Sequence, residues 1–508
     1  MAEKDAAGDD LRTGRLPGTG GNAGPRTGGD MGACLDKIQA ASREILRDLG
    51  VRLSDPGAVA LFAGAGVRTE GDVVFPDQDF LDETLASAPS TFTLDARNPL
   101  GAIRLGSGGR HYAPTHGSPA VVEADGTVRP TLLSDHLKLV KIAHASPLLA
   151  VNGGILAHPG DLPADLAAAG MVYSAALGSD KPLLLFPDKP ERFEKILAMT
   201  AEAFGGTEVF RSAPRTLMLM NTLSPLRIDR TSLRCLRLCA EWGQGVVVTP
   251  GPMAGSTGPA TLAGNMALAH AECLTALALS QLARPGTPAV YGVTATTCDL
   301  RDGSVSIGSP GYAVQTKITA AMARRLNLPC RSGGAATDAW EVSAQSGWEG
   351  MLSLLASAGN GVDLIIHAAG EMASFAAMSF EKLAMDLEMI SMVEYYLGGV
   401  EVSPETLALE TIKKVGRGGQ YLTQRHTLRH ARKEPWRPTA ACRGRRDGES
   451  FPERLLRNAK TKVEILLDSY EPPELDPSAV RRMDEIMLSL GAGEDILKTV
   501  KATLLGGE

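Results

Sequence analysis

The chain has 508 residues, of which 44% are apolar and 21% are charged, an ordinary composition for a globular protein. Its net charge of −7 excludes the concentrated positive charge expected of a protein whose main function is to bind nucleic acid. No apolar run reaches the roughly 18 residues of a membrane span. Seven scattered cysteines without a Cys-x-x-Cys pair predict a reducing, cytoplasmic environment.

The first hundred residues fall into two parts. Residues 1–33 are rich in glycine and contain no aromatic residue, which predicts a disordered tail. From Leu35, apolar residues recur at helical spacing until Gly50. Two more short helices within 54–88 and short strands near 91–95 and 103–104 follow. We therefore expect an N-terminal helical and β-hairpin region over residues 34–108.

After Gly109, eight short apolar or β-rich runs alternate with longer segments rich in alanine and leucine. Eight strand–helix units in series predict an α/β fold of the (β/α)8 class, a TIM barrel, over residues 109–400. A doubly wound open sheet is the alternative topology. The predicted strands are His111–Tyr112 through Val122, Leu148–Gly153, Pro182–Phe186, Thr216–Asn221, Gly245–Thr249, Ala289–Val293, Leu328–Ser332 and Asp363–His367.

The alternation ends at Gly399, and residues 401–508 are expected to form a C-terminal helical extension. A basic run from Arg425 to Arg446 lies within it. Such a run is more often a solvated or interface surface, although it could also dock an acidic partner.

In a barrel of this kind, the chemistry lies where strands end and the following loops begin. The residues at those positions are Tyr112, His116, Asn152, Asp188, Asn221, Thr249, Met253, Thr294, Thr296, Arg331, Ser332, His367 and Glu371. Arg331 and His367 follow neighbouring predicted strands and could together hold one small carboxylate. A structural ion pair for Arg331 and a core position for His367 are the alternatives.

A glycine-rich segment from Gly251 to Pro259 follows the fifth predicted strand, and a long helix is expected to begin at about Thr257. Free backbone N–H groups in such a turn can hold a phosphate or carboxylate. The segment matches neither a Walker A loop nor G-x-G-x-x-G. Close approach of a large flat ligand or of a partner protein would equally require missing side chains.

Four aromatic residues lie in or near the predicted loops at the open end: Tyr112, Trp340, Trp348 and Phe375. Aromatic cages hold quaternary ammonium groups through cation–π attraction. Each of these residues could instead serve packing, and the helical pattern around Trp348 predicts a core position for it. The sequence shows neither convincing metal ligands nor the pattern of a protein nucleophile. We therefore expect either a cofactor as the reacting partner or a chain that only binds.

Several segments resemble the trimethylamine methyltransferase family, from about residue 35 to residue 470. The family implies a TIM barrel and methyl transfer from a methylamine to a corrinoid (cobalamin) carried by a separate small protein. The similar segments are Pro250–Gly264, Asp299–Arg301, Gly308–Pro310, Ser332–Gly334, Thr337–Asp338, Ile366–Gly370, Phe380–Lys382 and Gly416–Leu428.

One departure from the family indicates a subclass. The founding members contain pyrrolysine, whereas this chain has only the twenty standard residues. It therefore resembles the branch that demethylates quaternary amines such as glycine betaine, proline betaine or carnitine. In the glycine betaine members, an arginine and a histidine at the ends of late barrel strands hold the carboxylate. The matching positions here are Arg331 and His367.

The resemblance also implies the remaining assignments. Tyr112, Asn221 and Phe375 complete the expected substrate-binding set. Cobalt would supply the attack, so we expect no catalytic nucleophile and no tightly bound metal in the chain itself. A homo-oligomer is expected. The residues expected to face the corrinoid are Gly251, Met253, Gly255 and Gly258.

Because the substrate nitrogen loses its charge as the methyl group leaves, a carboxylate against it would slow the reaction. We expect few acids in the pocket, with Glu371 as the exception. Two other functions stay open: a catalytically silent betaine-binding or regulatory paralogue, and a metal-dependent TIM-barrel lyase.

Overall fold

The computed structural model describes residues 30–153, 155–300, 303–444, 448 and 450–506. The predicted tail lies mostly outside these residues. Eight short parallel strands, each followed by helix, occupy the middle of the chain. They are numbered β1 (His111–Tyr112), β2 (Asn152–Gly153), β3 (Leu183–Leu185), β4 (Thr216–Met220), β5 (Gly245–Val248), β6 (Ala289–Tyr291), β7 (Arg331–Gly333) and β8 (Leu364–Ile366).

These eight strands close into a barrel. Hydrogen bonds join β2 through β6 in chain order, and β8 pairs in parallel with both β7 and β1. Parallel bridges between Tyr112 and Leu149 and between Tyr291 and Cys330 complete the ring. The TIM barrel is therefore confirmed, and the open doubly wound sheet is wrong.

The first predicted strand is interrupted. Only His111–Tyr112 belongs to the barrel, and Ala120–Val122 joins a separate four-stranded sheet with Val128–Pro130, Glu371–Met372 and Ala377–Met378. Pro114 and Pro119 lie between the two parts. Proline has no N–H to donate to a strand ladder, which explains the break. The small sheet connects the loop after β1 to the loop after β8.

A hairpin closes the N-terminal end of the barrel. Its strands, Phe92–Leu94 and Ile103–Leu105, belong to the same apolar cluster as Val247, Leu364 and other inward-facing side chains. The N–H of Gly106 donates to Asp363 Oδ1 over 2.7 Å, just before β8. Within the described residues, this hairpin covers the amino ends of the strands, so the barrel opens at their carboxyl ends.

The remaining strands flank the barrel. Val51–Leu53, Arg68–Glu70 and Val73–Phe75 were not predicted. They form a sheet with Arg227–Ile228 from the loop after β4. A second hairpin, Thr297–Asp299 with Ser304–Ser306, follows β6 at the open end.

The helices cover the barrel from outside and extend beyond it on both sides. The first helix begins at Met31, with Asp30 as its N-cap, so residues 31–33 of the predicted tail are helical. The helices are Met31–Asp48, Pro56–Gly64, Gln78–Leu85, Leu133–Ala145, Ala164–Gly178, Pro190–Ala203, Thr207–Ser212, Arg230–Glu241, Leu262–Ala283, Pro310–Arg325, Ala344–Gly359, Phe380–Gly398, Pro404–Leu407, Leu409–Val415, Arg425–His430, Phe451–Asp468, Pro477–Ser489 and Glu494–Leu505.

Helix Leu262–Ala283 is the most apolar of the long helices. By length and composition it could cross a membrane, but 83% of its apolar window is buried inside the fold. It packs against Met31–Asp48 on one side and against β5 and β6 on the other. We therefore assign it to the core.

We predict that the hairpin is essential to the stability of the barrel. Leu105→Ala should lower the free energy of unfolding by about 2–5 kcal/mol, because the side chain is fully buried in the barrel interior. Thermal unfolding measures the effect. Leu100→Ala is the matched control, since this leucine in the same hairpin is 95% exposed. Equal melting temperatures for the two variants would contradict the role of the hairpin.

Candidate active site

Arg331 is a buried cation inside the barrel. It pairs in register with Leu364 of β8, whose side chain faces the interior, so Arg331 faces the interior as well. The residue is only 4% exposed. No described residue accepts a hydrogen bond from its guanidinium, and Nε is buried without a partner. Burial lowers the pKa of Arg331, and the nearby Tyr312 opposes that shift.

An isolated buried charge is costly, because desolvation removes the water that would stabilise it. The barrel therefore contains a site for an anion that the described residues do not supply. Since guanidinium groups bind carboxylates with two parallel hydrogen bonds, a small carboxylate would fit its chemistry.

His367 lies directly after β8, the strand that pairs with β7, and three residues beyond Leu364, the register partner of Arg331. Its Nδ1 is 2.7 Å from Glu371 Oε2. Glu371 is fully buried and also accepts hydrogen bonds from Thr115 Oγ1 (2.9 Å), the His116 N–H (3.2 Å) and Ser118 Oγ (3.1 Å). These bonds occupy both carboxylate oxygens and fix the imidazole in place, leaving Nε2 of His367 for another partner.

Two further residues join Arg331 and His367, although they were not in the predicted binding set. The ring of His116 is 6.0 Å from that of His367, and its Nε2 is buried without a hydrogen-bond partner. Burial, reinforced by His367 and Arg331, holds the pKa of His116 well below its ordinary value, so this imidazole is neutral. Burial also raises the pKa of Tyr312, whose hydroxyl therefore keeps its proton.

Tyr312 reaches the site from the helix after β6. Its hydroxyl lies so close to β7 that a Cβ on Gly333 would be 2.2 Å from it. The glycine therefore makes room for a phenol O–H beside Arg331. A protonated phenol and a guanidinium are both hydrogen-bond donors, which strengthens the case for an anion between them.

Aromatic rings extend the site on both sides of the histidines. Phe186, just after β3, lies 4.5 Å from the His116 ring, and Phe375 lies 4.8 Å from the His367 ring. The four rings thus form a continuous row. Such a surface can hold a quaternary ammonium group without hydrogen bonds.

Phe375 is placed by an unusual turn. Ala373, Ser374 and Phe375 all adopt left-handed backbone angles, with φ of 51°, 53° and 75°. This conformation costs roughly 1–2 kcal/mol per residue for side chains with a Cβ. Hydrogen bonds to the loop after β7 hold it, including one from Ser374 Oγ to Asp338 Oδ1 (2.7 Å) and one from Ser374 N to Thr337 O (3.1 Å). Strain of this kind is typical of functional sites.

Tyr112 does not belong to this group, which corrects the prediction for it. Its register partner Ile365 belongs to the outer apolar cluster, and Tyr112 lies there too. The Tyr112 hydroxyl donates to Glu394 on helix Phe380–Gly398, which also binds Arg110 at 2.6 Å. Side chains alternate along a strand, so a residue one position away from the inward phase faces the helices.

The predicted corrinoid-facing loop lies at the open end. Gly251 and Gly255 are exposed, and Met253 and Gly258 are partly buried. The helix that follows begins at Leu262 and not at about Thr257, because Ser256, Thr257 and Gly258 all donate to Met253 O in a compact turn. A Cβ on Gly258 would be 1.9 Å from Asn265 Oδ1, so this glycine has a packing role.

The other predicted residues are spread more widely. Asn221 is exposed after β4, and its Oδ1 accepts a 2.5 Å hydrogen bond from Thr249 Oγ1. Trp340 is 54% exposed in the loop after β7. Trp348 is 64% exposed on the outer wall, so its predicted core position is wrong. Among the described residues, no three His, Cys, Asp or Glu side chains are arranged to hold a metal ion.

A buried ion pair supports the loops that follow β7 and β8. Lys382 Nζ donates to Ala335 O (2.6 Å) and lies 2.7 Å from Asp386 Oδ2, which also accepts from the Gly370 N–H over 2.7 Å. Burial raises the pKa of Asp386 to about 6, with Lys382 opposing the shift. One helix thereby fixes both active-site loops.

The fold is a TIM barrel, and the buried cation inside it suits a small molecule bearing an anionic group. The trimethylamine methyltransferase (MTTB) family model matches residues 32–488. The chain belongs to this family of methyltransferases.

Individual relatives agree with this assignment. The chain is 37% identical to a glycine betaine methyltransferase of Desulfitobacterium hafniense (strain Y51), over 90% of this chain and 96% of that protein. It is 28% identical to a proline betaine:corrinoid methyltransferase of Eubacterium limosum, over 79% and 84% of the two chains. The crystal structure of the Methanosarcina barkeri monomethylamine methyltransferase shares the fold, with a TM-score of 0.50 at 10% identity, over 90% of this chain and 87% of that chain.

We predict that breaking the buried ion pair destabilises the protein more than removing it. Asp386→Ala should lower the free energy of unfolding by about 3–5 kcal/mol, because Lys382 is left as an unpaired buried charge. The double variant Lys382→Met/Asp386→Leu should recover most of the loss. Denaturant unfolding of both variants decides: a double variant as unstable as Asp386→Ala would contradict the account.

Proposed function

We propose that the chain transfers a methyl group from a small quaternary amine with a carboxylate, best represented by glycine betaine, to Co(I) of a corrinoid on a separate protein. The observation that carries the substrate assignment is the buried, unpaired guanidinium of Arg331. Family membership and the betaine methyltransferases among the relatives support the reaction.

The carboxylate end of the substrate is assigned to Arg331 and His367. Arg331 provides a desolvated cation, and the Nδ1 contact with Glu371 orients the imidazole of His367. His116 and Tyr312 add neutral donors beside them. A carboxylate in this position would offset the desolvation cost of Arg331, so binding gains more there than at an exposed arginine.

The ammonium end is assigned to the apolar rings of Phe186 and Phe375, which flank the two histidines. Three trimethylammonium methyl groups need a surface that attracts positive charge without donating or accepting hydrogen bonds. Asn221 is proposed to line the same end at the mouth. Its exposure and its hydrogen bond to Thr249 are compatible with this role.

The charges around the site suit departure of a methyl group from a quaternary nitrogen. That nitrogen carries no lone pair, so no side chain has to protonate it, and its positive charge disappears during the reaction. A free carboxylate against the ammonium would stabilise the starting state more than the transition state. Glu371 avoids this problem, because it is fully buried and both oxygens bind neighbouring groups.

The corrinoid supplies the nucleophile, and the chain holds the substrate in the orientation that the reaction requires. We propose that the corrinoid approaches the open end of the barrel beside Gly251, Met253, Gly255 and Gly258. The exposed glycines present backbone without side chains, which permits close approach of a large flat ring. The hairpin at the opposite end leaves the mouth as the route to the site.

The proposal also includes the roles of the domains, the cellular location and the assembly of the chain. The barrel over residues 109–400 carries catalysis, flanked by the N-terminal region over 34–108 and the extension over 401–508. The chain works in the cytoplasm, where its free cysteines stay reduced. It forms a homo-oligomer.

The direct test follows the visible spectrum of free cob(I)alamin incubated with the full chain and glycine betaine. We expect methylcobalamin and dimethylglycine to form together. Proline betaine and carnitine are the comparison substrates. If betaine binds in calorimetry but no methylcobalamin forms from any of the three, a silent binding protein replaces the methyltransferase.

We predict that Arg331→Ala weakens glycine betaine binding by about 1.5–3 kcal/mol, or about 10- to 150-fold in Kd, because charged hydrogen bonds to the carboxylate are lost. Calorimetry provides the measurement. Choline, which lacks the carboxylate, should lose much less affinity. Arg234→Ala is the control variant, since this arginine lies on the outer wall with a side chain 40% exposed. Unchanged betaine affinity in Arg331→Ala would remove this residue from the site.

A further inference from the structure

One long segment of the chain has no buried residue. The segment from residue 399 to residue 439, here called the arm, leaves helix Phe380–Gly398 and returns to it. Tyr395 donates to Glu434 O (2.7 Å), and the Trp436 indole N–H donates to Ser391 Oγ (3.1 Å). Between these attachments the arm contains three short helices but no core of its own.

The arm exposes an unusual number of large apolar side chains. Leu422 is 77% exposed and Leu428 is 79% exposed. Ordering a residue costs about 1–2 kcal/mol in backbone entropy, which is normally offset by burial. An ordered segment with exposed apolar residues therefore indicates a surface that packs against another molecule. The exposed apolar residues of the arm are Val400, Val402, Leu407, Leu409, Ile412, Tyr421, Leu422 and Leu428.

The arm begins at the closed end of the barrel. Helix Phe380–Gly398 follows β8 and runs back towards the amino ends of the strands. Its Glu394 binds Arg110, which immediately precedes β1, and this contact places the end of the helix beside the closed floor. A partner that must reach the substrate comes to the opposite end. The arm is therefore poorly placed to bind the corrinoid protein.

Charge favours a second copy of this chain as the occupant. The arm carries eight lysines or arginines and four acidic residues, a net charge of +4. The whole chain has a net charge of −7, so the rest of the chain amounts to −11. The basic arm of one copy and the acidic remainder of another therefore attract each other at separations shorter than the Debye length.

An apolar stripe on the outer wall can receive the arm. Trp348, Leu352 and Leu355 on helix Ala344–Gly359 are 64%, 40% and 36% exposed. Their spacing of four and three residues places them on one face of the helix. The chain thus exposes both the apolar arm and the apolar stripe, and together these two surfaces can form a self-complementary contact between copies.

We propose that the arm of one copy packs against the stripe Trp348, Leu352 and Leu355 of a second copy, and that the exchange is mutual. The contact extends the proposed homo-oligomer by naming the surfaces that build it. It does not depend on the identity of the substrate, because both surfaces lie outside the barrel.

The test compares the oligomeric state of the full chain and its variants by sedimentation velocity. The wild type should sediment as a dimer or larger assembly at micromolar concentration. Leu422→Glu/Leu428→Glu should raise the dissociation constant of the assembly at least about 30-fold. Both leucines are exposed, so the monomer should keep its circular dichroism and its betaine binding. Val209→Glu is the control: this residue is 45% exposed before β4, across the barrel from the arm.

A second pair of variants identifies the receiving surface. Trp348→Glu/Leu352→Glu should dissociate the assembly as the arm variant does. A mixture of this stripe variant with the Leu422→Glu/Leu428→Glu arm variant should form a heterodimer. The intact arm of the stripe variant can then pack against the intact stripe of the arm variant. A monomeric wild type, an unchanged assembly in the arm variant, or a mixture that stays monomeric would overturn the proposal.

Discussion

The desolvated guanidinium of Arg331 is the constraint on which the rest of the site depends. A cation held inside a barrel without an anion is tolerable only if a ligand supplies one. The surrounding structure maintains that condition. The Phe92–Leu94 and Ile103–Leu105 hairpin packs apolar side chains into the amino end of the barrel. Glu371 forms hydrogen bonds with other groups, so it does not neutralise the arginine.

The site separates the two ends of a zwitterion. Donors cluster around Arg331, whereas Phe186 and Phe375 flank the histidines with apolar faces. This separation matters for methyl transfer, because the carboxylate can be bound tightly while the ammonium is held only by weak attraction. Most of the binding energy then comes from the carboxylate, whose charge does not change during the reaction. Little of it comes from the ammonium, whose charge disappears. The left-handed turn at Ala373–Phe375 shows that the ring of Phe375 is held in place at an energetic cost.

The architecture could be predicted because its strands are continuous apolar runs, such as Leu183–Leu185, separated by helical segments. His367 could be found because strand ends in a barrel are positions of known geometry. Arg331 is the first residue of β7 and not the residue at its end, so for this residue the prediction depended on the family resemblance. Tyr112 was misplaced because the predicted strand continued to Val122, whereas only His111–Tyr112 belongs to the barrel. Two residues are too few to show which side chain faces the interior. The contribution of Tyr312 was missed because its hydroxyl approaches Gly333 only through the packing of its helix against β7. That packing cannot be read from a single sequence. Trp348 was misplaced because a helical pattern does not say whether the apolar face meets the same chain or another copy.

The most direct measurement is a crystal structure of the full chain with glycine betaine bound. The account predicts a carboxylate oxygen about 2.7–3.0 Å from the Arg331 guanidinium, His367 Nε2 beside it, and one N-methyl group directed towards the open end. A betaine bound with its carboxylate at the mouth, or a guanidinium paired with a carboxylate of the protein, would contradict the account.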